Sequence, residues 1–148
     1  MPVALNHLIV YSRDQEKSAK FYADILGLRA PRRFSVFVQV NLANGVAMDF
    51  DQVEEPQRTH YAFLISEVEF DQIFGRIQER KLAYWADPGK SQAGRINRHD
   101  GGRGVYFEDL DGHLLEVITR PYGGDWRRRT RAPSPASPLK RERDRLGG

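Results

Sequence analysis

The sequence predicts an α+β protein built from two βαβββ modules in tandem. Three observations carry that prediction. Strand-like and helix-like segments follow one another in the same order twice. Each half opens on an apolar strand that holds a histidine: His7 in Asn6-His7-Leu8-Ile9-Val10-Tyr11, and His60 in Thr59-His60-Tyr61-Ala62-Phe63-Leu64-Ile65. Each half closes on a strand that holds a carboxylate four residues after a glycine, Asp49 after Gly45 and Glu116 after Gly112. An imidazole or carboxylate within an apolar strand is costly unless something pairs with it. Their recurrence in both halves therefore marks candidate site residues.

The elements follow in order. The first half reads as a strand over 3–11, a helix over 14–26 and strands near 28–33, 34–42 and 45–50. In that helix Phe21, Tyr22, Ile25 and Leu26 make one apolar face. Ser12 or Asp14 can cap its start, and Gly27 is a natural stop. The second half reads as a strand over 58–66, a helix over 67–80 and strands near 82–86, 103–109 and 113–119. Phe70, Ile73, Phe74 and Ile77 form the apolar face of its helix. Leu110-Asp111-Gly112-His113 joins the last two strands, and Asp-Gly is a strong hairpin signal. The modules thus span 3–51 and 58–119 of a domain over 1–122. The interval from histidine to carboxylate is 42 residues in the first and 56 in the second, and the excess falls near 87–102.

Composition narrows the function classes. The 148 residues include no cysteine, which excludes disulfides, thiolate ligands and a cysteine nucleophile and fits a reducing cytoplasm. No leader pattern and no apolar run long enough to cross a membrane is found. The net charge of +3 is misleading. Residues 123–148 hold eight Lys/Arg against three acids, a surplus of five, which leaves residues 1–122 at −2. That basic, proline-bearing segment is read as a flexible tail. The near-neutral domain is not expected to bind nucleic acid or membrane.

In combination, Leu5-Asn6-His7-Leu8 through Phe21-Tyr22 to Leu26-Gly27-Leu28, Thr59-His60-Tyr61-Ala62-Phe63, and Val105-Tyr106-Phe107-Glu108-Asp109-Leu110-Asp111-Gly112-His113-Leu114-Leu115-Glu116 resemble the vicinal oxygen chelate superfamily of glyoxalases, extradiol dioxygenases, and fosfomycin- and bleomycin-resistance proteins. The N-terminal strand and Thr59-His60-Tyr61-Ala62-Phe63 look most like the fosfomycin-resistance branch, with Ile9 where its thiol transferases carry Thr. The resemblance implies a curled mixed-sheet cup with helices outside. It implies one divalent metal (Mn, Fe, Zn or Ni) on His7, His60 and Glu116, and Tyr106 on the family's pocket tyrosine. Asp49 falls where glyoxalase-like members place a fourth ligand.

Strand alternation puts His7, Ile9 and Tyr11 on one face, as it does His60, Ala62 and Leu64, and Leu114, Glu116 and Ile118. Two imidazoles and one carboxylate leave open positions where a substrate can chelate through adjacent oxygens, giving lyase, dioxygenase or thiol-transferase chemistry. Asp49, if not a ligand, or Glu108 is the candidate base, and Tyr106 a candidate donor. The glycine-rich loop over 87–104 is the candidate substrate gate, and its Lys90, Arg95, Arg98 and Arg103 suit an anionic small molecule. His99 is read as polar filler. His113, of opposite parity to Glu116, is expected at the surface. A homodimer is expected because paired modules leave open sheet edges, and the site lies either within one chain or across two. The rival reading is a protein that sequesters a drug or natural product in the same cup.

Overall fold

A computed structural model describes residues 2–121; the expected basic tail over 123–148 lies outside the described residues. The first module is β1 (His7–Ser12), α1 (Gln15–Leu26), β2 (Arg32–Phe34), β3 (Phe37–Asn41) and β4 (Ala47–Gln52). The second is β5 (His60–Leu64), α2 (Glu67–Glu79), β6 (Tyr84–Trp85), β7 (Gly104–Glu108) and β8 (Leu114–Ile118), with a short 3-10 turn over His99–Gly101. Each module folds into one four-stranded mixed sheet, in the orders β1-β4-β3-β2 and β5-β8-β7-β6. The fold is α+β, and neither sheet closes into a barrel.

Local chemistry sets the helix ends. The Asp14 side chain accepts from Lys17 N–H, and Gly27 adopts the left-handed conformation (φ 72°) that stops α1. Ser12, the other candidate cap, is instead fully buried at the end of β1. Helix α2 starts in a capping box, Ser66 with Glu69. Both predicted helical faces are buried: Tyr22, Ile25, Phe70 and Ile77 are wholly inaccessible. They join Val10, Phe50, Phe107, Leu115 and Val117 in one core that spans both modules. Each large side chain so buried contributes about 1.5–3 kcal/mol.

This packing fixes the orientation of the strands. The core takes Val10 from β1 and Leu115 and Val117 from β8, while His7, Tyr11, His60, Ala62 and Leu64 stay exposed on the other face. Strands β1 and β5 are both sheet edges, and each runs parallel to the last strand of its own module. In the β5–β8 ladder, Leu114 N–H donates to Thr59 O and Ile65 N–H to Ile118 O. The backbone groups of His60, Ala62 and Leu64 therefore point toward the open edge.

Candidate metal centre

Glu116 is set by its neighbours. Leu115 and Val117 anchor β8 in the core, so the side chain between them must point to the opposite face. Its register partners are Ala62 on β5 and Tyr106 on β7, and it is only 1% exposed. His60 opens β5 two residues before Ala62, and its Nε2 lies 3.1 Å from Glu116 Oε1. The second ring nitrogen is committed, because His60 Nδ1 donates to Leu114 O at 3.0 Å. A carbonyl only accepts, so the neutral imidazole carries its proton on Nδ1 and presents a lone pair at Nε2. That lone pair faces a carboxylate oxygen. Two acceptors this close repel each other, and a cation shared between them would relieve that repulsion. The spacing matches two donors at right angles on one divalent cation with bonds of about 2.1 Å. The pair thus supplies two of the three donors expected of such a divalent-metal site. The His60 ring also stacks near Tyr106, with centroids 6.1 Å apart and planes inclined by 25°.

Module one repeats the layout. His7 precedes Ile9 as His60 precedes Ala62, and Ile9 pairs with Asp49 as Ala62 pairs with Glu116. Gln39 takes the place of Tyr106 opposite the acid, and its amide donates to Asp49 Oδ1 at 2.9 Å. Asp49 is 5% exposed. His7 Nδ1 lies 2.9 Å from Asn6 Oδ1, which leaves Nε2 available as in His60. Among the described residues, however, no three His, Asp or Glu side chains gather closely enough to hold a metal ion. One chain assembles the His60–Glu116 pair and places His7 elsewhere.

The loop cations divide. Lys90 is ion-paired with Glu108 and lies 5.0 Å from the centre of the Trp85 ring. Glu108 and Lys90 therefore neutralise each other. Arg103 turns to α2, where it bonds Glu67 Oε1 at 2.8 Å and Asp71 Oδ1 at 2.9 Å over the Phe70 ring. These carboxylates hold its guanidinium pKa above the ordinary value, with Asp71 the larger cause. Arg95 and Arg98 remain exposed on the loop.

The loop itself is pinned rather than slack. Asp87 accepts from Ser91 and Gln92, with a carboxyl pKa held down mainly by the Ser91 hydroxyl. The buried Asn97 side chain donates to Ala86 O at 2.8 Å. Beneath it lies a recess of about 540 Å³, lined by Ala86, Pro88, Ile96, Asn97, Arg98, His99 and Tyr106 among others. A smaller hollow of about 300 Å³ runs along β5 past Ala62 and Leu64 to Leu26 and Leu42. It is mainly apolar. The recess lined by Tyr106, whose ring stacks near His60, is the better candidate for substrate.

One expectation fails. His113 is not at the surface but fully buried. Its ring lies between the modules, with Nδ1 accepting from Thr59 N–H at 3.0 Å and Nε2 donating to Tyr11 O at 2.7 Å. Parity placed it opposite Glu116 correctly. That opposite side is the junction between modules, because the β7–β8 turn folds against β1. Asp109 reinforces the junction by accepting from Tyr22 OH at 2.6 Å and from the amides of Asp111 and His113. Burial raises the Asp109 carboxyl pKa, and burial followed by Asp109 raises Tyr22 well above the usual phenol value.

The Glyoxalase/Bleomycin resistance protein/Dioxygenase superfamily matches residues 4–117. The solved structure of Oxidase ChaP-H1 superposes with a TM-score of 0.81 at 55% identity, over 83% of this chain and 100% of its own. Curated relatives include Glutathione transferase FosA of Serratia marcescens, 29% identical over 77% of this chain and 79% of that protein. Metallothiol transferase FosB of Lysinibacillus sphaericus is 31% identical over 78% and 82%. The chain belongs to the glyoxalase/bleomycin resistance protein/dioxygenase superfamily.

Proposed function

We propose that this chain is a divalent-metal-dependent oxidase acting on a small molecule that chelates the metal through adjacent oxygens, with dioxygen as co-substrate. The observation that carries the reading is the His60–Glu116 pair, with His60 Nε2 3.1 Å from Glu116 Oε1 and His60 Nδ1 3.0 Å from Leu114 O. The likeness to Oxidase ChaP-H1 supports oxidation over the other reactions open to the superfamily. A bound divalent cation would supply Lewis acidity and open positions beside His60 and Glu116. Tyr106, on the strand next to Glu116, is the candidate donor to a substrate oxygen. The pinned loop and its recess would orient the substrate and shield it from water. Asp49, held at one oxygen by Gln39, is the candidate proton acceptor.

The third ligand in this reading is His7 from a second copy. Its support is the absence of His7 from the pair within one chain, together with the open edges of β1 and β5. Exposed Tyr11 and Leu64 on the same faces would be covered by such an assembly.

Thiol transfer to fosfomycin is the second reading, favoured by FosA and FosB. It needs cations for a phosphonate; Lys90 and Arg103 are paired with carboxylates, which leaves Arg95 and Arg98 of the loop to supply them. A sequestering protein would need no metal donors, so the paired His60 and Glu116 weigh against it. The test is oxygen uptake by protein loaded with Fe(II) or Mn(II), against catechols, 2-oxoaldehyde hemithioacetals, and fosfomycin with thiols. Substrate-dependent oxygen consumption that His60→Ala abolishes supports the oxidase. Turnover of fosfomycin without oxygen uptake overturns it.

A further inference from the structure

The β7–β8 turn supplies a histidine that the proposed reaction does not use. His113 is fully buried, and backbone groups of Thr59, just before β5, and of Tyr11 on β1 occupy both of its ring nitrogens. Thr59 N–H donates to Nδ1, so that nitrogen holds the lone pair, and Nε2–H donates to Tyr11 O. The bonds around it form a reciprocal lock. The His113 ring holds the amide of Thr59, the residue before His60. Leu114, the residue after His113, donates its N–H to Thr59 O at 2.9 Å and offers its carbonyl to His60 Nδ1 at 3.0 Å. His60 stands at the first position of its strand, where a ladder is prone to fray. Without the His113 acceptor, the Thr59 amide loses its hydrogen bond, and the chain leading into His60 loses a tie to the β7–β8 turn.

We propose that His113 is a positioning residue for His60. It clamps the start of β5 so that Leu114 O selects the Nδ1–H tautomer and turns Nε2 toward Glu116. Through Tyr11 O it also sets this frame against β1, the strand that carries His7. The inference rests on His60 being a site residue, as proposed above, and adds what holds that residue in its working geometry.

Two amide variants separate the two ring contacts. In His113→Asn the side-chain oxygen takes the place of Nδ1 and accepts from Thr59 N–H, but the Tyr11 contact is lost. In His113→Gln the amide group reaches toward Nε2 and donates to Tyr11 O, but nothing accepts from Thr59. The readouts are the nitrogen NMR shifts of the His60 ring without metal, and titration with Mn(II) alone. Wild type and His113→Asn should show one His60 tautomer, protonated at Nδ1, with Mn(II) affinities within about threefold of each other. His113→Gln should show mixed tautomers and about tenfold weaker Mn(II) binding, the usual scale for losing a group that orients a ligand. A single Nδ1–H tautomer and unchanged affinity in a folded His113→Gln would overturn the proposal. If that variant does not fold, amide exchange in wild type decides. Thr59 N–H should then be protected as strongly as Leu114 N–H, and rapid exchange at Thr59 would overturn the lock. Wild type that binds no Mn(II) would sink the metal reading alone, because the tautomer comparison is made without metal.

Discussion

Replacing Glu116 with Gln should stabilise the metal-free protein and destabilise the metal-loaded one. Glu116 is 1% exposed, and the facing His60 Nε2 carries a lone pair because Nδ1–H is committed to Leu114 O. A carboxylate offers that lone pair only another acceptor. A Gln amide of the same shape offers an N–H. One new hydrogen bond is worth about 1 kcal/mol, which in a domain of this size raises Tm by roughly 3–5 °C. With metal present the order reverses. At a free metal concentration near 100 times Kd, wild type gains about 2.7 kcal/mol, whereas the variant has lost an anionic ligand and gains little. Wild type should then be the more stable by roughly 2 kcal/mol. The assay is thermal unfolding of both proteins in chelator and in excess Mn(II). If Glu116→Gln melts below wild type in chelator as well, a shared proton holds the pair and the lone-pair argument is wrong.

Two further outcomes follow from the loop and the module junction. Arg103→Ala should lower stability by about 1–2 kcal/mol, since two ion pairs and a cation–π contact go with it, yet leave KM unchanged; Arg98→Ala should raise KM with little effect on Tm, and a raised KM for Arg103→Ala would return that residue to the substrate loop. The Asp109 pKa is raised in the folded state by burial, so its favourable contribution is full below its unfolded value near 3.8 and is lost as pH rises through the folded value. The stability of Asp109→Asn relative to wild type should therefore rise with pH from about 3.8 upward, as measured by urea unfolding at several pH values; a difference that stays flat or falls contradicts this.

Much of the fold was legible because it rests on local rules. Apolar spacing located α1 and α2, Gly27 marked the end of α1 and Asp14 was one of two candidates for its start, and Asp111-Gly112 marked the last hairpin. Strand alternation put His60 and Glu116 on one face, and the structure brings them into contact. What stayed hidden depended on partners distant in sequence. Arg103 looked like a substrate cation because its loop is rich in glycine and its carboxylates lie on α2, 36 and 32 residues away. His113 looked like a surface residue because parity reports which face a side chain takes, but not what packs there. The loop over 87–104 read as a substrate gate from its glycines and cations, while Asp87 and Asn97 tie it down through bonds that composition does not reveal. The separation of His7 from the pair is a matter of how modules pack, which no strand pattern encodes.

The central claim is that His60 and Glu116 of one chain take their third ligand, His7, from a second. Mixing subunits of His7→Ala with those of His60→Ala tests it most directly. Neither variant alone should bind metal stoichiometrically. After subunits are exchanged in equal amounts, half of the dimers should be mixed, and each should hold one intact site out of two, restoring about a quarter of wild-type metal occupancy. Mixed dimers that hold no more metal than the separate variants would contradict the shared site.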